Sequence, residues 1–430
     1  MRNGLLVRVG IDSSYGQWNG PIDQATNRFL YVPIPEAYTV RPGLERRYAD
    51  LRLPCADFNS GLPQHLHNQL MHLDPDFDHL TYGDGGNRAN PIRNLKNGDF
   101  VVFYAGLRPL DGSAGVVNAI IGYFEVSEVA PAAELQKKTP DVNAHCRRRE
   151  VDDDVVVIAR RRTSGRMKYC IPIGEWRAGS YRITKELLNA WGGLSVLDGY
   201  IQRSGTLPRF LEPDKFLRWF RVQGPELVRQ NNPETHHYIY KVTHDTGCAP
   251  CVDDGLLTLA ICKPDIRSTA DIGDWIYGFG GAPYGGKLIY VAQVTGRLAQ
   301  GDYYRRAEFR SRSDCIYQWQ GDKLTAKARG AFHADNVLQD IGKSPDYPRA
   351  NVLVSSNFRY LGKTAQEIDR VEYPELRKLV AALKRGHRVR GFTTALRWEL
   401  HGLRKSLWAR GSGMVLGAPH DLPPSSSTCC

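Results

Sequence analysis

One phrase is written twice in this chain, and it limits the available folds more than any other feature. Leu95-Lys96-Asn97-Gly98-Asp99 leads into Phe100-Val101-Val102-Phe103-Tyr104, then a loop over 106–115, then an apolar run over 116–126. Later, Ala270-Asp271-Ile272-Gly273-Asp274 leads into Trp275-Ile276-Tyr277-Gly278-Phe279, a glycine-rich loop over 280–286 and an apolar run over 287–294. Glycine accepts the positive φ of a tight turn, and an aspartate beside it bonds local backbone donors. Each copy therefore reads as a turn, a strand, a loop and a returning strand. Two copies so far apart point to two similar β-rich domains in tandem. That suits 430 residues, too many for one ordinary core.

Other elements fill the frame. Residues 5–11 read as a first strand ending at the turn Asp12-Ser13-Ser14-Tyr15-Gly16, and 29–34 as a second, closed by Pro33-Ile34-Pro35-Glu36. Gly83-Asp84-Gly85-Gly86-Asn87 reads as a loop. Helices are expected at 184–191, 213–220, 303–309 and 367–383, with a basic helical tail over 385–407. The polar, proline-bearing stretch 223–234 marks the boundary between domains, and 411–430 should be disordered. The domains are then 1–230 and 236–400, with 401–430 a largely disordered tail.

Charge narrows the partners. Fifty-seven Lys and Arg against 46 Asp and Glu leave +11, an excess that fits a polyanion without demanding one. Ten cations fall between Arg377 and Arg410, where Glu399 is the only acid. Arg147-Arg148-Arg149 and Arg160-Arg161-Arg162 supply a second basic cluster. Nine cysteines are too few for a disulfide scaffold, and Cys170 and Cys262 sit in apolar settings where a reduced thiol packs as a small hydrophobe. With no apolar run of membrane-spanning length, a cytoplasmic protein without membrane contact is expected.

Ordered motifs carry a resemblance. The Gly-Asp hairpin is similar to the PUA-like barrel group, which includes the EVE, ASCH, YTH and SRA modules. Asp245-Thr246-Gly247-Cys248-Ala249-Pro250, Cys262-Lys263-Pro264-Asp265-Ile266-Arg267, Gly273-Asp274-Trp275, Ser313-Asp314-Cys315-Ile316-Tyr317 and Ser355-Ser356-Asn357-Phe358-Arg359-Tyr360-Leu361-Gly362 follow in order. This set resembles the type 2 nucleotide modification associated domain. Asp12 to Gly16, Pro33 to Glu36, Tyr48-Ala49-Asp50-Leu51 and Leu73-Asp74-Pro75-Asp76 resemble the type 3 domain of the same group. Gln17 and Gly20 depart from that pattern. The resemblance implies an α+β chain of two tandem PUA-like mixed β-barrels with flanking helices and a basic helical C-terminal tail. It implies a prokaryotic or phage system of DNA base modification, restriction or defence. The chain would bind nucleic acid, in the first place DNA (RNA or a free nucleotide being alternatives), and recognise a modified or flipped base. The alternatives are an enzyme transforming a nucleotide or DNA base in a hypermodification pathway, and a non-catalytic scaffold among the proteins of such a system.

A flipped-base pocket needs π faces, a polar group for the base edge and cations for the backbone. Asp12, Ser13, Tyr15 and Gly16 offer these in the first domain, and Asp245, Gly247 and Trp275 in the second. Both loops follow the first strand of their domain. The competing reading of each aspartate is a cap on its own turn. Lys263 and Arg267 could grip a phosphate, as could Arg388 and Arg390. His333, near Asp335, is a possible acid–base group. No catalytic residue is assigned beyond it.

No metal or cofactor is expected. Cys248-x-x-Cys251 with His244 and Cys262 lacks a second Cys pair, and His65-x-His67 with His72 reads as a surface cluster. Gly281-Ala282-Pro283-Tyr284-Gly285-Gly286-Lys287-Leu288 approaches a P-loop but precedes a strand and lacks the final Ser or Thr.

Overall fold

The computed structural model describes residues 2–51, 62–110, 112–113, 115–202, 205–384, 386–410 and 413–421. The chain divides into two compact units, Met1–Glu234 and Thr235–Cys430.

The repeated phrase builds the same device in both units. In the first, strand Gly4–Arg8 lies parallel to Phe100–Pro109, which returns antiparallel as Val117–Pro131. In the second, His237–Val242 lies parallel to Trp275–Gly280, which returns as Leu288–Gln293. The Gly-Asp turns lock these strands alike. Asn3 N donates to Asp99 Oδ1 at 2.7 Å, and His236 N donates to Asp274 Oδ1 at 2.9 Å. The other carboxylate oxygen accepts at 2.9 Å from Lys96 N or Asp271 N. Asp99 and Asp274 are thus buried fasteners between the first strand and the hairpin, satisfying backbone donors that would otherwise be orphaned.

In the first unit the strands run Leu227–Val228, Gly165–Pro172, Val117–Pro131, Phe100–Pro109, Pro21–Asp23 and Arg28–Phe29. A bulge between Val126 and Glu128 bends the long return strand, whose far end pairs with Val155–Ala159, and that strand pairs with Thr81–Asp84. Alternation splits the strand Phe100–Pro109 between two cores. Val101, Phe103 and Ala105 face one; Phe100, Val102 and Tyr104 face the other, against Trp191 and Phe216. Both faces being covered, the strand reads as a continuous apolar run.

The second unit has a five-stranded sheet in the order Asn357–Tyr360, Leu288–Gln293, Trp275–Gly280, His237–Val242, His387–Arg388. It also has a four-stranded sheet, Cys251–Asp253, Leu256–Leu259, Val352–Ser355 and Gly296–Leu298, and a two-stranded one, Tyr317–Gln320 with Lys323–Ala326. No sheet closes into a barrel among the described residues, so the closed PUA-like barrels expected are not seen; the architecture is mixed α+β in two units.

Local expectations shift in several places. Residues 303–309 hold two short 3-10 turns instead of a helix. The helix within 367–383 is confined to Pro374–Ala382, where proline takes the first helical position. Helix Thr394–Ala409 starts late, at Thr393, whose Oγ1 accepts from Leu396 N at 3.1 Å; His387–Arg388 before it is strand. Gly83 and Asp84 end a strand, and Gly86–Arg93 is helix. Cys170 is free and buried, whereas Cys262 is disulfide-bonded.

The disordered tail expected over 401–430 is corrected furthest. Residues 401–407 are helix, as the helical reading of 385–407 expects, and the helix runs on to Ala409, with Leu396, Leu400, Leu403 and Leu407 entering the core at helical spacing. Beyond it, Tyr360 N donates to Met414 O at 2.9 Å and Leu416 N to Tyr360 O at 2.8 Å, so 413–421 is held by backbone bonds. Residues 422–430, also read as disordered tail, lie outside the described residues. Among the described residues no helix is long and apolar enough to cross a membrane.

Candidate functional site

The Asp12 loop is a self-capped turn. Asp12 Oδ1 accepts from Ser14 N at 2.9 Å and Tyr15 N at 3.0 Å, while Arg8 Nε sits 3.3 Å from Oδ2. Ser13 is exposed and Tyr15 half-exposed. Gly16 has φ +89°, and a Cβ there would fall 2.4 Å from Ile11 Cδ1. The residues expected to line a pocket are thus a buried cap and outward-facing neighbours.

The Asp245 loop is built from far more of the chain. Tyr360 Oη donates to Asp245 Oδ1 at 2.5 Å. His420 N and Nδ1 lie 3.1 and 2.7 Å from Oδ2. Burial and the Asp245 carboxylate push the Tyr360 hydroxyl well above its usual pKa. Asp421 Oδ2 accepts from Asp245 N at 2.9 Å and from Tyr284 Oη, and Pro419 packs on Gly247. The segment 413–421 thus covers the loop, and Asp245 is 1% exposed. Beside it, Gly247, Val252, Gly255, Tyr360, Val415 and Pro419 line a cavity of about 360 Å³.

Trp275 is not a stacking platform. It is buried, with the Arg404 guanidinium 4.5 Å over its ring and Trp408 edge-on at 5.7 Å. Arg267 cannot hold a phosphate: it is fully buried, and its guanidinium donates to Cys262 O at 2.7 Å, Asn351 O at 2.7 Å, Arg349 O at 3.0 Å and Asp340 O at 3.1 Å. Lys263 is half-buried, and burial lowers its pKa; its Nζ lies 4.9 Å from the Tyr240 ring. Arg388 and Arg390 are exposed, and Arg388 Nε donates to Arg390 O at 2.9 Å. His333 is buried with Nε2 2.8 Å from Asp340 Oδ2; Asp335, its supposed companion, is exposed.

A centre that the motif-by-motif reading left dispersed lies in the first unit. Met71–His72 pairs with Ile34–Pro35, bringing His72 to Glu36. Strand Thr81–Asp84 delivers Gly83, Gly85 caps the helix Gly86–Arg93 that follows, and the short helix Ala144–Arg147 carries His145. His72 Nδ1 lies 2.6 Å from Glu36 Oε2, and His145 Nδ1 lies 2.6 Å from Asp154 Oδ2. The two imidazoles meet edge to face, 4.9 Å apart. Arg148 bridges both carboxylates, 3.3 Å from Glu36 and 3.1 Å from Asp154. Asp74 completes the ring, accepting from Gly83 N at 2.9 Å and Asn143 Nδ2 at 2.7 Å, with His145 Nε2 3.8 Å away.

The glycines here are steric requirements. A Cβ on Gly83 would fall 2.3 Å from the His145 ring, and one on Gly85 2.1 Å from the Asp154 carboxylate. Burial drives His72 down to about 4, against the opposing hydrogen bond to Glu36. Burial works upward on Glu36, but the His72 hydrogen bond and the charges of His72 and Arg148 hold it at about 2. Burial raises Asp74 to about 7, opposed by His145, Gly83 and Asn143. Such groups can relay a proton or hold a cation.

His72, Asp74 and His145 stand only 5–8% exposed, so the surface histidine cluster expected at 65, 67 and 72 does not form. Arg147 and Arg148, expected as part of a basic surface, are buried too, Arg147 against Asp76 at 2.6 Å. The one local signal was His72-Leu73-Asp74, two ligating residue types at a spacing of two.

Residues 3–190 match the family Nucleotide modification associated domain 3, and residues 234–421 match Nucleotide modification associated domain 2. The chain is a tandem of these two nucleotide modification associated domains. The His72–Asp74–His145 centre lies inside the type 3 domain, and the Asp245 loop inside the type 2 domain. The type 2 match runs through His420 and Asp421, so the covering segment belongs to the domain it covers. Both descriptions tie the chain to nucleotide modification. No curated protein and no solved structure matches it.

Proposed function

We propose that this chain is an enzyme of a nucleotide- or DNA-modification system, with its chemistry in the type 3 domain. The observation that carries this reading is the convergence of two carboxylate-held histidines and Asp74 in one nearly closed site. A purely structural core has little reason to gather Glu36, Asp74 and Asp154 beside two histidines and Arg148, since each buried charge costs stability unless paired. Arg148 also bears the ring of Tyr38 at 3.9 Å, and Tyr38 is 56% exposed. An exposed aromatic on a guanidinium is a suitable stacking surface for a base.

The type 2 domain would supply binding. Exposed Arg388 and Arg390 suit a phosphate backbone, and Asp245 would meet a base edge only once 413–421 moved aside. Recognition of a modified base without chemistry is the second reading, favoured by those exposed arginines.

Incubating the full chain with nucleotides and with single- and double-stranded DNA, followed by mass spectrometry of the digested products, tests the proposal. A mass change that His145→Ala abolishes is expected. Tight binding with no change in any substrate overturns the enzyme reading and leaves recognition standing.

A further inference from the structure

We propose that His72, Asp74 and His145 hold a divalent first-row transition-metal ion. The inference rests on the enzyme reading of the same centre and supplies its cofactor, in place of the metal-free chain expected from sequence.

The three residues each present a ligand atom, and these atoms all lie within 4.8 Å of one another. With metal–ligand bonds of about 2.1 Å, neighbouring ligands of one ion stand roughly 3–4 Å apart, so closure asks for small shifts. The donor set is two imidazoles and one carboxylate, which selects Fe, Mn, Co or Zn over Mg or Ca and leaves positions open for water and substrate.

The surroundings fit the same ion. Metal-bound histidines direct their second ring nitrogen at a carboxylate, which fixes the ring and the tautomer. Here both Nδ1 atoms do so, to Glu36 and to Asp154, leaving Nε2 of each ring. The Asp74 carboxylate is itself oriented, by Gly83 N and Asn143 Nδ2. The absence of a Cβ at Gly83 is what lets the His145 ring reach its place. The two carboxylates behind the rings are held in turn: Arg148 bonds Glu36 at 3.3 Å and Asp154 at 3.1 Å. The nearby Asp84 and Asp76 are paired separately, with Arg88 and Arg147. The competing account is a hydrogen-bonded network of the same side chains without an ion.

The experiment uses the full chain, stripped with a chelator and titrated with Co²⁺, then with Mn²⁺, Fe²⁺ and Zn²⁺. One ion per chain, visible d–d absorption in the Co²⁺ form and a raised unfolding temperature are expected. His72→Ala and His145→Ala should each weaken binding by more than 100-fold. Glu36→Gln should keep the stoichiometry and weaken affinity about 10- to 100-fold. His244→Ala, an exposed histidine elsewhere, should change nothing. No specific ion on the wild-type chain, or undiminished binding in both histidine variants, overturns the proposal without needing any variant to fold perfectly. Failure of the two readings is separable. A mass change that survives complete chelation overturns the metal alone, and a metal-loaded chain that changes no nucleotide overturns the enzyme reading alone.

Discussion

Each unit buries a histidine, an arginine and carboxylate together, and the two assemblies differ in balance. In the type 2 domain one carboxylate, Asp340, serves everything. It meets Arg267, lies 2.8 Å from His333 Nε2, and accepts from Tyr317 Oη at 3.0 Å and Cys262 N at 2.9 Å. Arg267, His333 and Asp340 are at most 1% exposed. In the type 3 domain Arg148 holds two carboxylates, Glu36 and Asp154, each of which also meets a histidine, and Asp74 stands beside them. The first assembly gathers all its partners on one acid, as a structural clasp does. The second gathers two imidazoles and three acids in one place. A buried histidine beside an aspartate therefore says little by itself; the number of acids and histidines gathered with it separates the two.

The largest test of this contrast is Asp340→Ala. It strands Arg267 as an uncompensated buried cation and should destabilise the type 2 domain by about 3–5 kcal/mol, read from its denaturant midpoint. A loss below 1 kcal/mol would mean that the clasp is not structural. Gly83→Ala comes next. The new Cβ meets the His145 ring, so the type 3 domain should lose about 1–3 kcal/mol, and any activity or metal affinity should fall further than this alone explains. Loss of stability with full function would separate His145 from the site. The smallest effect concerns His79, whose Nδ1 sits 2.9 Å from Asp76 Oδ2 just outside the centre. The Asp76 hydrogen bond raises its pKa against the opposing effect of burial. A raised folded-state pKa gives stability that is full below about 6.5 and is lost as pH rises through the raised value. Because His79 is nearly half exposed, the contribution should be only about 0.5 kcal/mol. His79→Gln should remove that slope, and an unchanged pH profile would show that the pair contributes nothing.

What was legible in the sequence follows the range of the interactions. The Gly-Asp turns and both hairpins could be read because a turn, an aromatic strand and a glycine loop act over neighbouring residues. Trp275 could not be placed, because Arg404 and Trp408 cover it from a helix far along the chain. Arg267 read as a surface cation because local sequence does not show that four carbonyls and Asp340 await its guanidinium. His145 and Asp74 are 71 positions apart by number, and Arg147-Arg148 reads as a basic patch until the acids it serves are known.

The sequence alone therefore determined the tandem plan, the paired turns that open each hairpin and the nucleotide-modification setting carried by ordered motifs. These rest on local backbone chemistry and on residue order. Only the tertiary structure decided which charged groups face one another. It turned Asp12 into a cap, closed Asp245 beneath residues 413–421, sealed Arg267 and gathered His72, Asp74 and His145. The reason is physical: a turn is fixed by bonds between neighbours, whereas the protonation, pairing and reach of a buried side chain depend on groups that distant segments bring to it.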